Sequence, residues 1–565
     1  MSLDFDPIEF YKQEFSSSQL HIKINAIHRL KLLASVIPAS ALESEILPFI
    51  SDQLPLLEDE ALFALSHQLS HLHLYFPDCG LPLLPILEHL AGSDETLVRD
   101  QAVISLIELA GNLPDYQIIH SFINTLFKLA NSKQFQGKLA ACKLFCIAYP
   151  RAGGFKDKIR NKLIEFCQDE VVIIRKAAVN ELLNLVDMLD KANIVNEILQ
   201  IVQKIVQDEQ EDIRIVALGF IKKFCVVLGK EEAKTMAFPL LVNLQEDSGW
   251  KVRCAVAKEL SEISKIIGKD SMEGGLLQVL INLLHDPENE VRVCMIQTTA
   301  SIFDKLSQDK ILNIYSIVSA YIKDDSINLK TKKVALGCLS SIWKVSDQEF
   351  CLKSIFPIFE AVFLDHHREL KIVAIENFPT FALIGSEFID KSLKPLLRDS
   401  FNDLKSWRIR KKVLKCVWLI TQKMGQGIFV ESLYGVFFHF IRDSVAEVRN
   451  SGVKYLKRFV KLLDTDWVVN ALFPKLQAMY LETTWYLHKI TLIKILAILP
   501  GDYVNIFALA SKDHVANVRI TVCSSLLCFQ SDKKDLTHYL QLISELKKDK
   551  DREVSYLSSL LATES

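Results

Sequence analysis

The chain has 565 residues, too many for one compact core, so it is expected to form several domains or a repeat array. Half of the residues are hydrophobic and only 19 are Gly and 16 are Pro, a balance that is typical of helix-rich proteins. The 66 basic and 69 acidic residues give a formal net charge of -3, which disfavours nucleic acid and anionic membranes as main partners.

The beginning of the chain is acidic, and we expect neither a signal peptide nor a transit peptide there. No apolar run approaches the roughly 18 to 20 uncharged residues that span a bilayer, so membrane insertion is not expected. The twelve cysteines never form a C-x-x-C pair. Because Cys142, Cys146, Cys225, Cys254 and Cys416 lie in apolar helical stretches, the sequence predicts reduced core thiols and a place in the cytoplasm or nucleus.

An internal repeat decides the architecture. A short motif that begins with Asp and ends with Arg recurs, so that Arg175, Arg214, Arg253 and Arg292 follow one another at 39-residue intervals. Basic residues continue the series in both directions at 36 to 41 residues, with one interval of 30 before Arg519, which predicts a shortened hairpin near Pro500 and Gly501. The further members are Arg99, Lys138, Lys330, Lys371, Arg410, Arg449 and Lys489, and weaker matches at Lys23, Leu62 and Ser555 bring the number to about fifteen.

Each unit is predicted to be a helix, a short turn and a second helix. Apolar residues recur three and four apart after the motif, as at Val252, Val256, Leu260 and Ile263. A single hairpin of this kind cannot bury its apolar face, so neighbouring units are expected to stack into an all-α solenoid. The Asp is expected at the N-cap of the second helix, with the Arg one turn further along.

Stacked units would align the Asp and Arg of successive turns into a ladder of alternating charges. If the pairs are exposed, each contributes only about 0 to 1 kcal/mol, so an Arg253→Met change would lower stability modestly. The expected ladder residues are Asp208, Arg214, Asp247, Arg253, Asp286, Arg292, Asp443, Arg449, Asp513 and Arg519.

Other constellations are weak by comparison. His67, His71 and His73 have the spacing of a helix face but no Cys or carboxylate at ligand distance in sequence, and the segment from Asp365 to Glu369 coincides with a repeat turn. The basic run from Arg408 to Lys412 also belongs to a turn and its helix. No arrangement of catalytic residues emerges, so the sequence predicts no enzyme activity, no metal and no cofactor.

Several strings carry a more specific resemblance. Two-helix repeats of about 39 residues are the signature of HEAT repeats. The order and sequence of the turns are similar to those of the scaffold (A, 65 kDa regulatory) subunits of protein phosphatase 2A over essentially the whole chain. The strings are Ile46-Leu-Pro-Phe-Ile50, Glu95-Thr-Leu-Val-Arg-Asp100, Ala148-Tyr-Pro-Arg151, Glu246-Asp-Ser-Gly-Trp-Lys-Val-Arg253, Ser406-Trp-Arg-Ile-Arg410, Tyr486-Leu-His-Lys489 and His514-Val-Ala-Asn-Val-Arg519.

This resemblance implies a right-handed α-α superhelix, a horseshoe of about fifteen repeats whose turns form a ridge. It implies a hetero-oligomer, a dimeric core that becomes a trimeric holoenzyme, in which residues 1–384 (repeats 1 to 10) hold a variable regulatory B-type subunit. Residues 385–565 (repeats 11 to 15) would hold the catalytic Ser/Thr phosphatase subunit.

The implied contacts lie in the turns. For the catalytic subunit the matching residues are Trp407, Arg408, Val445, Tyr486, Leu487, His488, Val515 and Asn517. For the regulatory subunit they are Glu58, Asp59, Glu95, Thr96, Phe135, Asp169, Arg175, Lys176, Asp208, Glu209, Trp250 and Lys251.

The chain also departs from the family's pattern. Ala446 stands where a bulky aromatic residue is usual, Gly249 and Lys251 replace Ser and Arg, and Gln134 replaces a Trp. Affinities therefore do not carry over. A transport receptor of the importin type, another HEAT-repeat adaptor and a nucleic-acid-binding HEAT protein remain alternatives at this point.

Overall fold

The computed structural model describes residues 6–76, 80–364, 367–402, 406–501, 503–532 and 534–561, which contain helices and turns and no strand. The predicted all-α class is confirmed. By its internal contacts the chain divides into two compact units, Met1–Thr298 and Thr299–Ser565. This boundary differs from the functional division expected after residue 384. Among the described residues, no helix combines the length and the apolar character needed to cross a membrane.

Within the described ranges, the first unit is built from eight helix pairs. Their second helices are Leu20–His28 with Leu30–Val36, Asp59–Leu69, Thr96–Asn112, Phe135–Ala148, Val172–Leu185, Glu211–Leu228, Trp250–Ile267 and Asn289–Thr299, the last of which ends at the unit boundary. Their first helices are Pro7–Phe15, Ala39–Ala41 with Leu47–Gln53, Leu84–Ala91, Asp115–Gln117 with Ile123–Ala130, Lys156–Phe166, Lys191–Asn193 with Leu199–Ile205, Lys230–Met236 with Phe238–Gln245, and Lys269–Ser271 with Leu277–Leu284.

The described part of the second unit contains seven further pairs. Their second helices are Leu329–Val345, Arg368–Phe381, Trp407–Met424, Ala446–Phe459, Tyr486–Leu496, Ala516–Ser531 and Arg552–Ser559. Their first helices are Gln308–Lys323, Gln348–Phe350 with Phe356–Leu364, Ser386–Phe388 with Lys394–Asn402, Gln426–Ile428 with Tyr434–Phe438, Thr465–Trp467 with Phe473–Glu482, Val504–Ala510 and Leu540–Lys547.

Many first helices contain a π-helical turn, in which one residue is added without ending the helix. These turns join the two helical pieces named above and were not predicted from the sequence. They are Leu42–Ile46, Ile118–Phe122, Ile194–Ile198, Met272–Leu276, Cys351–Ile355, Ile389–Leu393, Phe429–Leu433 and Val468–Leu472. Short 3-10 turns complete the chain at Leu54–Leu56, Ser70–Tyr75, Leu81–Leu83, Tyr149–Arg151, Gly153–Phe155, Val186–Met188, Phe303–Lys305, Ala382–Ile384, His439–Arg442 and Thr537–Tyr539.

The core of each unit lies between the first and second helices of successive repeats. Val252, Val256, Leu260 and Ile263 are all fully buried, as their spacing predicts. Second helices also pack against the second helix of the next repeat, as Glu211–Leu228 does against Trp250–Ile267. Stacking therefore buries the apolar faces that a single hairpin would leave in water.

The expected shortened hairpin is present. Val504–Ala510 is a first helix of only seven residues without a π-helical turn. It follows Gly501, whose positive φ of 159° suits a residue without a side chain.

Candidate functional site

The residues expected to contact partners gather at the starts of the second helices. Trp407 is the first residue of Trp407–Met424, while Val445 and Val515 are the N-caps of Ala446–Phe459 and Ala516–Ser531. Tyr486 begins its own helix. The eight residues matched to the catalytic subunit thus occupy the same structural position in four consecutive repeats.

A recurring Asp shapes two of these four turns. The Oδ1 atom of Asp443 accepts the backbone N–H of Val445 at 2.8 Å, and Asp513 accepts that of Val515 at 2.9 Å. The N-cap of the second helix is therefore the residue two positions after the Asp. The expectation that the Asp itself would be the N-cap was wrong. The bond forms an Asx turn that sets the direction in which the second helix begins.

The recurring Arg bonds both its own turn and the following one. Arg253 donates through Nη1 to the carbonyl of Asp247 at 2.7 Å, within its own turn. Its Nε and Nη2 donate to the two carboxylate oxygens of Asp286 in the next turn, at 2.6 and 2.9 Å. Arg214 grips Asp247 in the same way, at 2.7 and 2.8 Å. Bidentate pairs of this geometry are the strong, directional form of the ion pair.

Other turns are linked in the same way, except that a Lys replaces the Arg in one of the pairs. Asp208 pairs with Arg175, Asp443 with Arg410, Asp513 with Lys489, and Arg519 with Asp549. These residues and the two pairs above form what we call the ladder.

Two expected ladder residues depart from this pattern. Arg449 bonds the carbonyls of Asp443 and Ser444 in its own turn, but the following turn presents Thr483 in place of an Asp. Arg292 likewise bonds the carbonyls of Asp286 and Pro287, and its Nε is buried without a hydrogen-bond partner among the described residues. In the described structure, these two arginines act within their own turns.

The ladder pairs are more buried than the sequence suggested. The side chains of Arg410 and Asp443 are 2% and 4% exposed, and those of Arg253 and Asp286 are 13% and 4% exposed. Loss of one partner would leave a buried charge, so we correct the expected modest effect of Arg253→Met to a cost of about 3 kcal/mol or more.

Trp407 is half-buried and is held by two cations. The guanidinium carbon of Arg408 lies 4.9 Å from the centre of a Trp407 ring, and Nζ of Lys411 lies 5.9 Å away. Arg408 is exposed. Trp and Arg are the residues most enriched at the energetic centres of interfaces, and here the pair is prearranged on one helix turn.

The next turns present smaller contacts. The ring of His488 packs edge-on against Trp485 at 4.3 Å, and its Nδ1 lies 3.3 Å from Oγ1 of Thr483. Burial, followed by Arg442 and Arg449, lowers the pKa of His488, which favours the neutral ring at neutral pH. Trp485 and Tyr486 are 41% and 36% exposed.

The twelve residues matched to the regulatory subunit divide into two groups. Some are engaged in contacts between repeats: Glu58 with Lys23, Asp169 with Lys138, Arg175 with Asp208, Lys176 with Asp212 and Lys251 with Glu211. The others, Asp59, Glu95, Thr96, Phe135, Glu209 and Trp250, stand at the turns with no such ion pair among the described residues. Phe135 and Trp250 are each 41% exposed and are the two aromatic residues of this set.

Sequence reasoning missed one exposed apolar group. Val171, Val172 and Ile173 are 39%, 38% and 56% exposed at the start of Val172–Leu185. The signal was present, because three β-branched residues stand where helix starts favour polar side chains.

The alternative constellations do not form sites in the described residues. The rings of His67 and His71 are in edge contact at 5.3 Å, and His73 Nδ1 lies 2.7 Å from the carbonyl of Ser70. Asp365 and His366 lie outside the described residues. Within the described ranges no group of three or more metal-ligating side chains comes together. Burial raises the pKa of Cys142 to about 12, consistent with an inert core thiol.

Scaffold subunits of protein phosphatase 2A are similar in sequence to parts of this chain. The scaffold subunit from Dictyostelium discoideum is 30% identical over 199 residues, which are 35% of this chain and 34% of that protein. A regulatory subunit of the same phosphatase from Schizosaccharomyces pombe is 27% identical over 259 residues, which are 45% and 44% of the two chains. The beta isoform of the human 65 kDa regulatory subunit is 34% identical over 179 residues, which are 31% and 30%.

The resemblance to these scaffold subunits is confirmed. The matched stretches span less than half the length of the curated relatives. A family model described as "PIK3R4-like, middle domain" matches residues 190–323.

Solved structures support the fold. A crystal structure of importin beta aligns with a TM-score of 0.58 at 12% identity, covering 98% of this chain and 76% of that one. A Kap121p mutant aligns with a TM-score of 0.54 at 14% identity, covering 98% and 68%. At this identity the likeness concerns the fold alone, and it confirms the HEAT-like class.

Proposed function

We propose that this chain is the non-catalytic scaffold of a type 2A serine/threonine phosphatase. In this proposal the turns of repeats 11 to 15 hold the catalytic subunit, and turns among repeats 1 to 10 hold a variable regulatory subunit. The observation that carries it is the likeness to scaffold subunits, combined with the shared position of all eight matched residues at the starts of four second helices.

The proposed mechanism is bridging. Each partner binds one stretch of turns. A substrate held by the regulatory subunit therefore has a raised effective concentration near the catalytic subunit. The ladder contributes by fixing the spacing of successive turns. A rigid row of prearranged side chains loses little conformational freedom on binding, which favours affinity.

Trp407 is proposed as the main anchor for the catalytic subunit. It combines a large half-buried ring with the exposed guanidinium of Arg408, and truncation to Ala would remove both the ring and the surface on which Arg408 rests. Hot-spot truncations of this kind reduce affinity by about 2 kcal/mol or more, roughly thirtyfold.

The test is an affinity purification of the tagged full chain, with the partners identified by mass spectrometry. We expect a type 2A catalytic subunit with the native chain and a strong loss with Trp407→Ala. Trp467→Ala is the matched control, because Trp467 is also half-buried but lies on a first helix, away from the turns. Recovery of a Ran-type GTPase without a phosphatase would refute the scaffold assignment in favour of a transport receptor. Equal binding by both variants would refute only the role of Trp407.

A further inference from the structure

The ladder is interrupted at Arg99 in the first unit. Like the other ladder arginines, Arg99 donates through Nη1 to the carbonyls of its own turn, those of Ser93 and Asp94, at 3.1 and 3.3 Å. Its Nη2 bonds Oγ1 of Thr96 at 3.2 Å. Its Nε, the atom that elsewhere grips the next Asp, is buried with no hydrogen-bond partner among the described residues.

The residue that should complete this link is a serine. Ser132 stands six residues before Lys138, the position that Asp169 holds before Arg175 and Asp247 holds before Arg253. Its Oγ accepts the N–H of Gln134 at 3.2 Å, as the Asp carboxylates accept theirs. Ser132 thus keeps the turn but lacks the negative charge.

A buried guanidinium with an unpaired N–H and no charged acceptor is costly. Arg99 is only 6% exposed, so water does not replace the missing acceptor. The helices that carry the two residues, Thr96–Asn112 and Phe135–Ala148, pack against each other. The two turns also line one open cleft, with Ser93 and Asp94 on one side and Ser132 on the other.

We propose that Ser132 is a phosphorylation site whose phosphate completes the ladder by pairing with Arg99. A phosphoserine carries up to two negative charges and three acceptor oxygens, and it extends one bond further than an Asp side chain. Nε and Nη2 of Arg99 then have acceptors in the same relation as those that Arg214 and Arg253 find in the next turn.

The reaction is an ordinary phosphoryl transfer from a nucleoside triphosphate by a protein kinase. The Oγ–P bond forms while the bond from the γ-phosphorus to the bridging oxygen breaks, the hydroxyl proton leaves to a base, and the nucleoside diphosphate departs. Ser132 is accessible for this step, because it is half-buried in a turn whose neighbours Asn131, Lys133 and Gln134 are exposed.

The charges around the cleft are mixed. Lys133 follows the serine directly, and Glu88 on the cleft wall is paired with Lys128 at 3.4 Å. Asp94 is engaged by Gln136 at 2.5 Å. Both carboxylates are thus engaged by other side chains, and Arg99 bonds no charged acceptor among the described residues.

The consequence is a change in the coupling of two repeats. Without phosphate, this joint is held by apolar packing and by three side-chain links, Lys128 with Glu88, Gln136 with Asp94, and Lys143 with Asp100. With phosphate, it gains a charge-assisted bidentate link of the kind that Arg175, Arg214 and Arg253 make permanently. Phosphorylation therefore stiffens one joint of the first unit, independently of which partner the chain binds.

The test compares the full chain with and without genetically encoded phosphoserine at position 132, by amide hydrogen exchange. We expect exchange in Thr96–Asn112 and Phe135–Ala148 to slow by about ten- to a hundredfold, the effect of adding hydrogen bonds to a charged group. The gain must vanish in an Arg99→Met background. Unchanged exchange, or a gain that survives Arg99→Met, would overturn the proposal.

Ser93 supplies a matched control. It occupies the same turn position one repeat earlier and accepts the N–H of Glu95 at 3.2 Å, but the preceding repeat has Leu62 where a ladder cation would stand. Phosphoserine at 93 is expected to leave the exchange of Asp59–Leu69 unchanged, and an equal gain there would contradict the pairing with Arg99.

Whether Ser132 is phosphorylated in cells is tested separately. Mass spectrometry of the chain purified from its own cells under phosphatase inhibition is expected to detect phosphate on Ser132. Complete coverage with only the unmodified peptide would overturn its use as a modification site.

Discussion

Removal of the Arg410 guanidinium offers the sharpest measurement of the ladder. Nε and Nη2 of Arg410 lie 2.5 and 3.0 Å from the carboxylate oxygens of Asp443, with side chains 2% and 4% exposed. In Arg410→Met the carboxylate stays buried and loses its cation. Breaking a buried pair in this way costs about 3 to 5 kcal/mol.

The adjacent residue gives the control. Lys411 reaches from the same helix to Glu447 at 2.5 Å, but these side chains are 40% and 50% exposed. Water and salt weaken such a pair, which contributes about 0 to 1 kcal/mol. Lys411→Met is therefore expected to have a small effect, although it breaks an ion pair of the same length between the same two helices.

The assay is hydrogen exchange of Trp407–Met424 and Ala446–Phe459 in the full chain, because global unfolding of a repeat array is not two-state. Equal losses in Arg410→Met and Lys411→Met would refute the reasoning from burial. A second check is Arg410→Met with Asp443→Leu, which removes both charges. This double variant is expected to recover most of the loss, since an apolar pair replaces a buried ion pair at little cost.

Two further predictions concern pH and packing. The hydrogen bond from Arg519 lowers the pKa of Asp549, so this pair stabilises the fold above about pH 4, and the stabilisation is lost as the pH falls through the lowered value. The difference in hydrogen-exchange protection of Ala516–Ser531 between the native chain and Asp549→Asn, compared at each pH, must therefore shrink between about pH 5 and pH 3. Gly452→Ala would drive a methyl group into the buried ring of Phe440 and destabilise by about 1 to 3 kcal/mol. Gly337→Ala, in a helix with open space, is expected to stabilise by about 0.5 to 1 kcal/mol, and hydrogen exchange of the helix that carries each glycine compares the two.

The repeat itself was predictable because charged residues recur at its period. Arg214 and Arg253 mark the same place in successive turns, and Val252 to Ile263 show the helical spacing of the core. The shortened hairpin also followed from one interval of 30. The π-helical turns did not, since one added residue inside a helix disturbs the apolar pattern too little to be distinguished from ordinary variation.

The candidate surface was less predictable. Sequence gives the position of Asp169 and Arg175 in a turn, but only coordinates show that both are engaged by other repeats. The burial of Arg410 could not be predicted either, because the residue type alone does not distinguish a buried Arg from an exposed one. Partner contacts depend on exposure, which is a property of the stack and not of the repeat.

The shortened first helix Val504–Ala510 shows which part of a repeat can differ while the link between turns is kept. Lys489 and Asp513 are separated by 24 residues, against the 33 that separate Arg253 from Asp286, yet their side chains meet at 2.7 Å. A short first helix is therefore compatible with an intact link between turns. The length of a first helix can thus differ between repeats without changing the link between the turns, so local geometry and turn-to-turn bonding are set by separate parts of the repeat.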